Sequence, residues 1–119
     1  METIVRNGKV IALISGTEMV ITNAQSALDL LMQAKHDAGT NLLVVDKSVI
    51  AEDFFILSTG FAGEVLQKFI NYNGKIAIYG DFSQYTSKPL HDFIYESNPG
   101  KDVFFVSTQE EAINRLAQI

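Results

Sequence analysis

A chain of 119 residues without a cysteine is sized for one domain, and disulfides, thiol chemistry and cysteine zinc sites are closed to it. Its 47% hydrophobic and 19% charged residues suit a packed core and exclude a disordered chain. A net charge of −5, with basic residues scattered singly, argues against nucleic acid or an anionic membrane surface as partner.

Residues 3–6 and 9–15 are β-rich runs joined by Asn7-Gly8, a pair that tolerates the positive φ of a type I′ turn, so they predict a hairpin. Val10 to Ile14 is continuously apolar, as expected of a strand buried on both faces. Asn23 is a natural N-cap, and Ala24, Ala27, Leu28, Leu31, Met32 and Lys35 fall on one helical stripe that ends before Gly39. Leu42 to Val45, closing at Asp46, reads as a central parallel strand. Residues 47–55 read as a loop with room for a helical turn. An amphipathic helix follows Ser58-Thr59-Gly60, with Phe61, Ala62, Val65, Leu66, Phe69 and Ile70 as its apolar face. Lys75 to Tyr79 is the next strand. Ser87 or Lys88 opens a helix with an early Pro89, which Asn98-Pro99-Gly100 ends. Val103 to Val106 is the last strand, and two overlapping capping boxes, Ser107 with Glu110 and Thr108 with Glu111, open a final helix.

The order ββαβαβαβα predicts a single α/β domain: an N-terminal β-hairpin, then αβαβαβα, on a mixed but mostly parallel sheet. Right-handed crossovers bring the C-terminal strand ends to one edge, where open α/β sheets hold ligands. That edge is expected to gather Ser15-Gly16-Thr17, Asp46-Lys47-Ser48, Tyr79-Gly80-Asp81-Phe82, Ser107-Thr108 and the helix start at Ser58.

The helix start carries orphan backbone donors and partial positive charge, so Ser58-Thr59-Gly60 suits either a phosphate or a plain cap. Gly60-Phe61-Ala62-Gly63 lacks the lysine and glycine spacing of a phosphate-binding loop, and its glycines point to a tight entry and close helix–strand packing. Asp81, Phe82, Ser83 and Tyr85 lie in a loop dense in hydroxyls and aromatics, suited to recognition of a partner or small ligand. Glu64 and Asp81 are the carboxylates placed for acid–base work, but no third residue completes a set. His36 and His91 have no ligand-spaced partner. No catalytic, cofactor-binding or metal residue is assigned.

Two resemblances add to this. Residues 59–69, 78–88 and 92–98, from Thr59-Gly60-Phe61-Ala62-Gly63-Glu64 through Tyr79-Gly80-Asp81-Phe82-Ser83-Gln84-Tyr85 to Tyr95-Glu96-Ser97-Asn98, resemble a bacterial family of small cytoplasmic proteins classed as a domain of unknown function. That resemblance implies no activity. At fold level the element order is similar to the STAS domain of anti-sigma-factor antagonists. Laid on Leu57-Ser58-Thr59-Gly60, the STAS motif implies Thr59 as phosphoacceptor, with Leu57 where that family has an aspartate.

The expected function is a non-enzymatic interaction or regulatory module. Its working edge runs from Ser58 to Glu64 and from Asp81 to Ser87, and it has a protein partner or a second copy of itself. The alternative is a small-molecule binder or enzyme on the same edge. No cofactor, nucleic acid or membrane enters either reading. Met1 to Arg6 lack the charged-then-apolar pattern of a leader, and the cytoplasm is the expected location.

Overall fold

In a computed structural model describing residues 1–119, β1 (Glu2–Arg6) and β2 (Lys9–Ile14) form the expected antiparallel hairpin. Asn7 and Gly8 take φ of 56° and 76°, so the type I′ turn closes with Arg6 opposite Lys9. β3 (Leu42–Asp46), β4 (Lys75–Tyr79) and β5 (Val103–Val106) then add one after another, each parallel to the strand before it. The result is a five-stranded sheet in the order β1-β2-β3-β4-β5, with β3 at its centre.

Strand order that follows chain order has a geometric consequence. Right-handed crossovers that always advance in one direction place their helices on one face. α1 (Ala24–Ala38), α2 (Phe61–Asn71) and α3 (Lys88–Ser97) cover the face of Ala12, Leu43, Ile76 and Phe105. α4 (Gln109–Ala117) alone covers the other face, packing Ala112, Ile113, Leu116 and Ala117 on Ile11, Val44, Ala77 and Phe104. The strand order never reverses, so the sheet has no switch-point crevice of the kind that holds nucleotides in doubly wound folds. A site at the C-terminal edge must be built from loops.

α1 begins where its cap dictates. Asn23 Oδ1 accepts from Ser26 N at 2.8 Å, and Ser26 Oγ accepts from Asn23 N at 3.1 Å, a complete capping box. Its buried face is turned from the expected stripe. Leu30 and Ala34 are buried beside Ala27, Leu28 and Leu31, whereas Met32 lies at the rim. The reason is that α1 packs on α2 as well as on the sheet, which widens the apolar face. Lys35, expected on the stripe, reaches out to the Tyr72 carbonyl at the C-terminus of α2.

Three other expectations shift. Residues 47–59 form three successive 3₁₀ turns, Lys47–Val49, Glu52–Phe55 and Leu57–Thr59, which bury Val49, Phe54 and Phe55. Gly63 is not a close-packing glycine: it faces out from α2, and a Cβ there would meet nothing within 4 Å. The close approach is at Gly74, where a Cβ would lie 2.6 Å from Leu31 Cδ2 and 2.9 Å from Phe69. At the last helix Thr108, not Ser107, is the cap, accepting from Glu111 N at 3.1 Å.

Candidate functional site

The parallel strands end in step, with Asp46 beside Tyr79 and Tyr79 beside Val106. One residue further on, Lys47 and Gly80 meet. Gly80 has φ of +154°, and a Cβ on it would lie 2.8 Å from Lys47 Cβ. Only glycine lets the lysine stem cross so closely. The stem leads the ammonium over two rings, 4.9 Å from the centroid of Tyr85 and 5.4 Å from that of Phe55. This is cation–π geometry.

The rings form a cluster. Phe55 and Tyr85 stack with centroids 5.2 Å apart, and Phe82 joins Phe55 at 6.0 Å and Phe105 at 5.6 Å. Phe82 therefore ties the loop after β4 to the core. The Tyr85 hydroxyl donates to Glu52 Oε1 at 2.5 Å, and His91 Nε2 donates to the Tyr85 carbonyl at 2.5 Å. Partial burial, helped by the Glu52 carboxylate, pushes the Tyr85 phenol above its ordinary pKa. Burial and then the charge of Asp46 do the same to Tyr79.

Asp81 is engaged within its own loop. Its Oδ1 accepts from the Ser83 hydroxyl at 2.6 Å and from Ser83 N at 2.9 Å. Those bonds, with Lys47 nearby, hold its carboxyl below the usual range.

At the helix start, Gly60 is the N-cap of α2, with φ of 78° and no side-chain cap. The cap's work passes to Thr59. Its Oγ1 accepts from Phe61 N at 3.2 Å and lies 2.8 Å from the Ile56 carbonyl and 3.0 Å from that of Asp53, to which its proton is directed. Thr59 is exposed but bonded on both sides. Ser58 is exposed and its hydroxyl makes no hydrogen bond within the chain, while Glu64 points to solvent one turn into the helix.

Ser58 and Tyr85 both line an open groove of about 350 Å³ between the 3₁₀ turns and the loop before α3. Phe55, Ile56, Leu57 and Pro89 supply its apolar lining; Thr86 and Ser87 add hydroxyls. Glu64, Asp81 and Ser83 do not line it. Of the eight residues expected at this edge, the groove itself unites only Ser58 and Tyr85. Phe82 packs against Tyr85, Thr59 bonds the carbonyl of Ile56, and Gly60 caps the turn Leu57–Thr59. No group of three or more His, Asp or Glu side chains is arranged to hold a metal ion.

The family model for a domain of unknown function (DUF4180) matches residues 6–116, a span that includes every residue of this groove. The chain belongs to that family. No curated protein and no solved structure matches it. No helix is long and apolar enough to cross a membrane.

Sequence reasoning placed Lys47 at the shared edge but not over the rings, and it missed Glu52 and Phe55 as members of this face. Glu52 and Phe55 had no signal, because only the 3₁₀ turns fold them back under Tyr85.

Proposed function

We propose that the chain is a non-enzymatic protein-interaction or regulatory module of the cytoplasm, working through the face between the helix start at Ser58–Glu64 and the loop Asp81–Ser87. The observation that carries this reading is the shape of the groove. It is open and lined by aromatic and aliphatic side chains, among them Ile56, which is 50% exposed. A half-exposed apolar side chain in the wall of an open groove suits an inserted partner side chain. The carboxylates best placed for acid–base work do not line the groove, and Asp81 is bonded to Ser83.

The test compares wild type with Ile56→Asp on a matrix in native lysate, with quantitative mass spectrometry of what is retained. A protein held by wild type and lost by the variant supports the reading; identical retention overturns it. One observation favours a second reading, a small molecule in the same groove: the Ser58, Thr86 and Ser87 hydroxyls all line it. Native mass spectrometry showing a bound small molecule, displaced in Ser58→Trp, would select that reading instead.

Thr59 is the residue proposed for modification, on the strength of the STAS resemblance. A phosphate would add about −1.5 to −2 charges. It would also abolish the hydroxyl's bonds to the Ile56 and Asp53 carbonyls, loosening the turn that carries Ile56. Modification would thus act on the groove through its wall. Thr59→Glu is expected to weaken partner retention at least as much as Ile56→Asp, and Thr59→Ala less. Equal retention by all three, with no phosphate found on the native protein, would remove the switch.

A further inference from the structure

We infer that the chain pairs with a second copy of itself through the open edge of β1, strand against strand and antiparallel. The two edges of the sheet are treated differently. At β5, Asn98 acts as a surrogate strand: Phe105 N donates to its Oδ1 at 2.7 Å, and its Nδ2 donates to the Phe105 carbonyl at 3.1 Å. Arg115 holds the Asn98 carbonyl from the other face of the sheet. The outward groups of Phe105 are thereby satisfied, which blunts the β5 edge at that residue.

Nothing comparable protects β1. In a two-residue hairpin the closing pair, Arg6 and Lys9, is hydrogen-bonded, so Ile4 and Glu2 also bond inward and Thr3 and Val5 turn their N–H and C=O outward. No turn, loop, cap or side-chain bond in the chain uses those groups. The strand Glu2-Thr3-Ile4-Val5-Arg6 has no proline, no bulge and no central charge, and Val5 is 65% exposed. Of the devices by which natural edges are guarded, the strand has only its short length and the two terminal charges, Glu2 and Arg6.

The occupant follows from the strand's own pattern. About a two-fold axis at Ile4, Thr3 of each copy faces Val5 of the other, so the outward donors and acceptors meet in a complete ladder. Ile4 then faces Ile4, and Glu2 faces Arg6 at both ends. Arg6 is prepared for this: it bonds Glu110 at 2.6 Å and Asn114 at 2.7 Å through Nη1 alone, so its other nitrogens remain for a second carboxylate. Glu2 has no partner within the chain. A slip of two residues would set Glu2 or Arg6 opposite Ile4 and forfeit the charge pairing, and a slip of one would break the ladder. Because the two-fold contact uses the β1 edge of both copies, and Asn98 caps Phe105 on each β5 edge, the two sheets join once and stop, giving a closed two-fold dimer and not a fibre.

The strand is short, so association is expected to be weak and concentration-dependent. Sedimentation across a concentration series, with hydrogen exchange on the same samples, tests it. The expected result is a monomer–dimer equilibrium in which the Thr3 and Val5 amides become protected only as dimer forms. Glu2→Arg should weaken association about tenfold by setting like charges opposite each other. Thr3→Pro, which removes only an outward donor, should abolish it. Val5→Lys is the second blocking variant, at an exposed position that leaves the fold intact, and it decides the matter if Thr3→Pro does not fold. A monomer throughout would overturn the proposal. So would a dimer whose Thr3 and Val5 amides stay unprotected, or one that Val5→Lys leaves unchanged.

Discussion

Lys47 and Gly80 show how much one residue pair can decide at this face. A cation on the rings of Phe55 and Tyr85 requires a stem that crosses β4 where no side chain stands. Gly80→Ala would add both a contact 2.8 Å from Lys47 Cβ and a strained positive φ. The expected cost is about 1–3 kcal/mol. It should be read as a lower midpoint in denaturant unfolding, together with a changed near-ultraviolet signal from the displaced Tyr85. The sequence places both residues at the shared strand edge, but not their contact: Gly80 reads there as a strand-ending glycine and Lys47 as the residue after Asp46. Thr59 was legible as the first hydroxyl to examine, but not as the residue that holds the Phe61 amide, because the sequence offers Ser58 and Thr59 as equal caps.

Among the elements, α2 departs most from what its sequence promises. Its hydrophobic face is as periodic as expected, and Ala62, Val65 and Phe69 are buried. Yet it opens on Gly60 and carries Gly63 in its first turn, facing solvent with open space around it. Gly63→Ala has no neighbour to displace and removes backbone freedom from the unfolded chain. It is expected to stabilise the protein by about 0.5–1 kcal/mol, measured as a higher thermal midpoint. A loss of stability would mean that the space beside Gly63 is needed. The strands behaved more simply. β4 and β5 lie where their apolar runs place them, since a short run flanked by Gly, Asn and Asp has few alternatives. The 3₁₀ turns did not, because Phe54 and Phe55 sit in a charged stretch without any period, and only contact with the rings of Phe61, Phe82 and Tyr85 holds them inside.

For the molecule as a whole, the crossovers run one way, and three helices share a face that a single helix balances on the other side. The C-terminal edge left between them carries two tyrosines whose phenols are raised above their ordinary values, Tyr79 chiefly by burial and then by Asp46, Tyr85 chiefly by burial and then by Glu52. A raised phenol stays protonated in the folded chain after the unfolded chain has lost its proton. Its contribution is therefore complete below about pH 10, the unfolded value, and is lost as pH rises through the folded one. Stability should fall above about pH 10. The fall should flatten in Tyr79→Phe and Tyr85→Phe if each is followed by urea midpoints across that range.

By itself the sequence determined the element order, the hairpin, the cap of α1 and the single α/β domain. Turn chemistry, capping and hydrophobic period act over a few residues, and the chain states them directly. Only the tertiary structure decided that Lys47 lies on Gly80, that Phe55 stacks on Tyr85, that Asn98 seals β5 while β1 stays open, and that Glu64 and Asp81 stay outside the groove between Ser58 and Tyr85. These are contacts between segments far apart in the chain. They are set by how the loops beyond the strand ends pack on one another, which a pattern spanning a few residues does not reach.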